Sequence, residues 1–302
     1  MEKRLPMERQ TKAYLYAVAT VLLWSTVASA FKLTLARVGF LEMLLGASVV
    51  SLAALSLIVL AQGKIAGIVN SSKEDIARSA ALGFLNPFLY YVILFKAYSV
   101  LPAQEAQPLN WTWPIMLVLL SIAILKQPIR WVNVLAIVIS FSGVLVISTR
   151  GDVLALRFTN LPGALLALGS SVIWALFWIY NIKDRRDEIV KLFLNFVFGS
   201  VFTLAAVLLF GDIRIPATAA LLGIVWIGLF EMGITFVTWL KALQLSRTTA
   251  QVSNLVYAAP FLSLFLIHVI VGEEILPSTV LGLVLIVTGV IVQQYAGRKK
   301  EA

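Results

Sequence analysis

The sequence contains no cysteine and a single histidine, His268. That removes disulfides, thiolate chemistry and metal centres built from several imidazoles or thiolates. Charge is scarce too. Only 13% of residues are Asp, Glu, Lys or Arg, against roughly 25% in a soluble domain. Asp75, Asp152, Asp184, Asp187 and Asp212 all fall in or beside the connections between apolar runs. A paired-aspartate hydrolase inside a membrane has no residues to build on, so an enzyme is not expected. No glycine-rich phosphate loop is present, which argues against ATP-driven work, and no cofactor is implied. No connection is long enough to form a soluble domain.

What the sequence has in abundance is hydrophobic residues, 60% of 302. Apolar runs of about 20 residues recur along the chain, the length that crosses a bilayer as a helix. A soluble helical protein is disfavoured because no run carries a fully polar face. Ten spans are expected: 14–36, 39–61, 77–99, 102–125, 131–149, 161–182, 190–210, 217–243, 248–270 and 276–296. Met1 to Lys12 is charged and no small-residue cleavage site follows it, so it reads as a cytoplasmic tail. With ten spans, 18 of the 24 Lys and Arg fall on the side of the two termini. The positive-inside rule then puts both termini in the cytoplasm. The net charge of +9 is thereby a topology signal. Its expected partners are anionic lipid headgroups rather than nucleic acid.

The chain also repeats itself. A shift of 146 places superposes Pro114 on Pro260, Ile129 on Ile275, Val134-Leu135 on Val280-Leu281 and Gly143-Val144 on Gly289-Val290. Proline and glycine are costly inside helices, so their coincidence carries weight. Each copy covers five spans, an odd number, so the halves would insert with opposite orientation. The expected organisation is a tail at 1–13, a first repeat at 14–149, a linker at 150–160, a second repeat at 161–296 and a tail at 297–302. Inverted repeats of this kind characterise secondary transporters, whose site lies near the midplane. The fold class expected is an all-α integral membrane protein, with ten transmembrane helices as two inverted five-helix repeats around a central cavity.

Polar residues at membrane depth are candidate site residues. Span 1 carries Trp24, matched in the repeat by Trp174 in span 6, which shares a face with Ser170, Trp178 and Asn181. Span 3 offers Asn86 and Tyr90. Span 4 offers Gln104, Gln107, Asn110 and Trp111, with Pro114. Span 8 places Glu231, Thr235 and Thr238 at helical spacing, and span 9 offers Gln251, Asn254 and Tyr257. A shift of 145 sets Asn86 opposite Glu231. The substrate-binding set is therefore Trp24, Asn86, Tyr90, Gln107, Asn110, Trp111, Trp174, Trp178, Glu231, Thr235, Asn254 and Tyr257, with Pro114 and Pro260 as hinges. The competing reading is that Ser, Thr and Asn bond between helices without touching a substrate. Three roles stay open for Glu231: binding a substrate amino group, cycling protons, or a structural hydrogen bond. Lys32 and Glu42 flank the first turn at similar depth, which suggests an ion pair. The alternative is that Lys32 attracts a substrate carboxylate.

Leu23-Trp24-Ser25 with Lys32, Ala258-Ala259-Pro260, Glu273-Glu274 and Gly289-Val290 resemble the drug/metabolite transporter superfamily, in its ten-helix EamA-type exporters. Leu23-Trp24-Ser25-Thr26 and Asn110-Trp111-Thr112-Trp113-Pro114 resemble the aromatic amino-acid exporters of the YddG type. The chain departs from the pattern at Lys126-Gln127-Pro128, where the acidic residue before the fifth span is replaced. The resemblance implies a basket of spans 1, 3, 4, 6, 8 and 9 around a cavity, in a bacterial inner membrane. The expected function is secondary export of small amphipathic metabolites, neutral or aromatic amino acids foremost, with protons as a coupling partner in one version. Drugs, nucleosides or other solutes are the next substrate class. A non-transporting scaffold or an intramembrane enzyme stands behind both.

Overall fold

The computed structural model describes residues 7–125, 131–155, 160–211, 216–246 and 254–298. Among these residues there is no strand. An apolar segment in hydrocarbon must close its backbone hydrogen bonds within itself, and the helix does so. We label the apolar helices α1 Met7–Leu35, α2 Phe40–Ala61, α3 Lys73–Val100, α4 Ala103–Ile124 and α5 Trp131–Ser148. The second set is α6 Leu161–Lys183, α7 Glu188–Phe210, α8 Thr218–Leu245, α9 Leu255–Val271 and α10 Pro277–Arg298. Eight helices, α1 to α8, are long and apolar enough to cross a membrane. The other two apolar stretches, Leu255–Val271 and Pro277–Val292, are shorter over the described residues.

Local chemistry starts these helices. Ser72 and Asp75 form a reciprocal capping box at the start of α3. Asn160 accepts from the Gly163 N–H at α6, where Pro162 occupies the first turn. Asp187 accepts from the N–H groups of Ile189 and Val190 at α7. Large apolar side chains such as Leu57, Leu60, Leu208, Leu222 and Phe265 are exposed on the outside of the bundle. Such a surface suits lipid and not water, and the protein is a multi-pass membrane protein.

Four helices are interrupted. In α3 the backbone leaves the helical region at Asn86 (φ −150°, ψ 121°), just before Pro87. In α8 a wide turn at Gly228–Gly233 ends with Gly233 at φ −98°, ψ −95°. α4 breaks between Asn110 and Trp113, ahead of Pro114. α9 opens with a tight turn over Asn254–Ala258, ahead of Pro260. The sequence suggested hinges at Pro114 in α4 and Pro260 in α9, and continuous spans for α3 and α8. The proline ring removes an N–H and crowds the preceding turn, which explains the three proline-linked breaks.

The helices pack in pairs: α5 on α10, α2 on α7, α1 on α8 and α9, and α6 on α3 and α4. The α5–α10 contact is backbone to backbone. A Cβ on Gly143 would strike the Gly282 carbonyl, and one on Gly289 would strike the Ala136 carbonyl and Ser140.

The two ends of the bundle are tied by polar contacts. At the end holding the α1–α2, α3–α4, α5–α6 and α9–α10 connections, the Glu273 carboxylate accepts from the N–H groups of Ala103 (2.9 Å) and Gln104 (3.1 Å). The Gln104 side chain in turn accepts from Leu276 N (2.9 Å) and donates to the Glu274 carbonyl (2.6 Å). Each helix start is thus capped by the other's segment. Arg150 bonds the buried Glu105 at 2.8 Å. At the opposite end Arg186 grips Asp184 and donates to Ser79 (2.8 Å), and Lys64 pairs with Asp187 at 2.7 Å.

Two expectations follow. Gly143→Ala forces α5 and α10 apart and lowers the melting temperature in detergent, by overpacking on the order of 1–3 kcal/mol. Gly169→Ala meets nothing within 4 Å and leaves the melt unchanged or slightly higher. The second concerns acid. Burial would raise the Asp184 carboxyl, but the Arg186 guanidinium outweighs it and holds the pKa below its ordinary value. A depressed pKa gives stability that is present above the unfolded value and lost as pH falls through the folded one. Melting scans should therefore show acid destabilisation below about pH 4, reduced in Asp184→Asn.

Candidate functional site

The broken helices together with α1 and α6 enclose a central cavity of about 390 Å³, within the range of small-molecule sites. α1 contributes Trp24, Val27, Ala28 and Phe31, one face at helical spacing. α3 contributes Tyr90, Leu94 and Tyr98, and α4 contributes Gln107, Asn110, Trp111, Trp113 and Pro114. α6 brings Trp174 and Trp178, α8 brings Glu231, Phe236 and Trp239, and α9 brings Val256 and Tyr257. Six of the chain's eight tryptophans line this space. Trp174 is the packing hub, with ring centroids 4.7 Å from Tyr90, 5.9 Å from Trp178 and 5.8 Å from Phe236. Trp24 closes the other flank against Trp239 at 5.8 Å.

The polar groups are few and mostly engaged. Asn110 accepts from Tyr90 Oη (3.3 Å) and donates to Ser170 Oγ (2.9 Å). Glu231 accepts from Tyr91 Oη at 3.0 Å and, among the described residues, makes no ion pair. Among the described residues, two atoms of wall side chains are buried without a hydrogen-bond partner, the acceptor Gln107 Oε1 and the donor Trp178 Nε1.

Trp24, Tyr90, Gln107, Asn110, Trp111, Trp174, Trp178, Glu231, Tyr257 and Pro114 all reach the wall of this one cavity. Asn86 and Thr235 do not. Asn86 is buried at the break in α3 with both amide atoms unpartnered. Thr235 is fully buried, and its hydroxyl donates to the Phe230 carbonyl at 2.5 Å. The wide turn in α8 adds to the helical register, so the regular stripe Glu231–Thr235–Thr238 is split. Glu231 faces the cavity, while Thr238 turns to Thr20 at 3.0 Å. Pro260 is buried outside the wall. Asn181 sits in a small adjoining pocket with Lys191 and Glu188. Gln251 and the side chain of Asn254 lie outside the described residues.

The Lys32–Glu42 pair is corrected. Lys32 Nζ donates to the carbonyls of Tyr98 (3.1 Å) and Leu101 (2.6 Å) at the end of α3. Those carbonyls have no helical partner and carry the negative end of the helix dipole, so they attract the ammonium. His268 meets the Glu273 carbonyl at 3.0 Å.

The sequence reading missed Phe31, Tyr98, Trp113, Phe236, Trp239 and the phenol of Tyr91. Phe31 was legible from the Trp24, Val27, Ala28 spacing. Tyr98 was legible too, two turns beyond Tyr90 on the uninterrupted Tyr90–Val100 segment; Phe236 and Trp239 were not, because the turn in α8 resets their face relative to Glu231.

The chain matches the EamA-like transporter family over residues 11–149 and again over 161–293. It belongs to that family, within the drug/metabolite transporter superfamily. It is 27% identical over 303 residues to the aromatic amino acid exporter YddG of Ancylobacter novellus, spanning 96% of this chain and 99% of that protein. It is 26% identical over 300 residues to a probable terminal-alkyne amino-acid exporter of Streptantibioticus cattleyicolor, spanning 97% of each. A solved crystal structure matches with a TM-score of 0.66 at 25% identity, over 97% of this chain and 99% of the other. The family name and those of the relatives indicate a transporter rather than an enzyme.

The site geometry predicts a coupling between Tyr91 and Glu231. Tyr91 is fully buried, so Glu231→Leu strands its hydroxyl and lowers stability by about 1–3 kcal/mol. Adding Tyr91→Phe recovers most of that loss, and Glu231→Gln, which still accepts the bond, stays near the parent. Thermal melts of these proteins together with Tyr91→Phe alone complete the cycle.

Proposed function

We propose that this transporter exports small amphipathic metabolites, neutral or aromatic amino acids foremost, by alternating access of two inverted five-helix halves. The observation that carries the reading is the single aromatic chamber, with Glu231, Gln107 and Asn110 as its polar features. Rings and apolar faces suit an apolar side chain, and the few polar groups suit a compact head. The names of the two amino-acid exporters above point the same way.

The packing supports the inverted duplication. Under the 146-residue shift Gly143 becomes Gly289 and Ala136 becomes Gly282. The close contacts are Gly143 with Gly282 and Gly289 with Ala136, the exchange a two-fold axis between halves would produce. α3 and α8, third in each half, break at related positions. The residue roles follow from the wall. Trp24, Trp111, Trp174, Trp178, Tyr90 and Tyr257 cover the substrate's apolar part, and Gln107, Asn110 and Glu231 address its head. Pro114 and Pro260 adjoin the breaks in α4 and α9 and serve as hinges. Asn86 and Thr235 are left with structural roles at the breaks.

The Lys- and Arg-rich end faces the cytoplasm, both termini lie there, and the membrane is the bacterial inner membrane. The Glu273, Gln104 and Arg150 contacts then close the outer end. Glu231 is also the group available to carry a proton in exchange.

Purified protein in liposomes should take up labelled phenylalanine, tryptophan or leucine above protein-free vesicles. Trp174→Ala should cut the rate severalfold. Uptake of none of a broad amino-acid panel, with or without a pH gradient, removes the substrate class. Glu231→Gln with full dependence on the gradient removes the proton role.

A further inference from the structure

The charge in the chamber is one-sided. Among the described wall residues there is a carboxylate, Glu231, and no lysine, arginine or histidine. Two lysines on helices that flank the chamber are engaged elsewhere. Lys32 is held by the carbonyls of Tyr98 and Leu101. Lys191 pairs with Glu188 at 2.9 Å and donates to the carbonyls of Asn181 (3.3 Å) and Asp184 (3.1 Å), which uses its three N–H donors. The Asn110 amide is engaged by Tyr90 and Ser170.

A zwitterion therefore meets unequal reception. Its ammonium finds the Glu231 carboxylate and the faces of several indoles, which attract cations. Its carboxylate would lose water, approach Glu231 and meet no cation among the described wall residues. A buried anion without a cationic partner is disfavoured.

We propose that the chamber recognises protonated aryl-alkyl amines, with Glu231 as counter-ion and Tyr91 positioning that carboxylate, and that it does not read a substrate carboxylate. This rests on the transport reading above and ranks its amphipathic substrates, setting molecules whose single formal charge is an ammonium ahead of the zwitterionic amino acids.

Four indole compounds separate the possibilities: tryptamine, tryptophan methyl ester, tryptophan, and indole-3-propionate. Calorimetric titration of the purified full chain, with vesicle uptake beside it, measures each. Tryptamine and the ester should bind at least about tenfold tighter than tryptophan, and indole-3-propionate weakest, since one unmatched charge outweighs a tenfold step. Glu231→Gln should weaken tryptamine about tenfold or more while leaving neutral 3-methylindole unchanged; Glu231→Asp keeps the charge and should restore much of the loss. Tryptophan binding as tightly as tryptamine, with both transported, overturns the amine proposal and leaves the exporter reading standing. Unaltered tryptamine binding by a well-folded Glu231→Gln overturns the counter-ion role. No binding and no uptake of either class overturns both readings. The ligand comparison uses the unmodified protein, so it decides even where a variant fails to fold.

Discussion

Backbone hydrogen bonding in a medium without water governs this architecture. Each N–H and C=O inside hydrocarbon must find a partner in the protein. Helices facing lipid obey by staying unbroken, as α2, α5, α7 and α10 do. Interruptions are confined to α3, α4, α8 and α9, where neighbouring helices or the cavity surround the exposed groups. The hydroxyl of Thr235 serves a carbonyl in the α8 turn, and that of Thr112 serves the Leu109 carbonyl at 2.8 Å in the α4 break. The breaks are also where Glu231 and Trp111 gain the angle that turns them to the chamber.

Charge follows the same rule. Paired charges and capping groups gather at the two ends, where Glu273, Gln104, Arg150 and Lys32 at one end and Arg186, Asp184 and Lys64 at the other join helix termini. Within the chamber, among the described wall residues, a single carboxylate sits among rings, held by a phenol rather than a cation. The polar contacts at the ends hold helices together, and the middle is left to aromatic packing around one carboxylate.

The exchange of contacts between Gly143–Gly282 and Gly289–Ala136 ties the sequence duplication to physical packing. Small residues let two helix backbones touch, and such close packing is one of the attractions left between helices already surrounded by apolar tails. The pair α5–α10 therefore acts as a brace outside the chamber rather than as part of its wall, apart from Val290.

The sequence by itself determined the helical class, the membrane setting, the internal repeat and most of the aromatic wall. Those depend on composition and on spacing within one helix, and Trp174 and Trp178 stay on one face because α6 is continuous. Tertiary structure decided which face each residue shows beyond a break. It separated Thr235 from Glu231, and it brought Tyr91, Phe236 and Trp239 to the site. It also gave Lys32 to the end of α3 instead of to Glu42. A wide turn or a proline break rotates everything that follows, and a lysine chooses among carbonyls that only folding gathers. No periodicity in one chain records either.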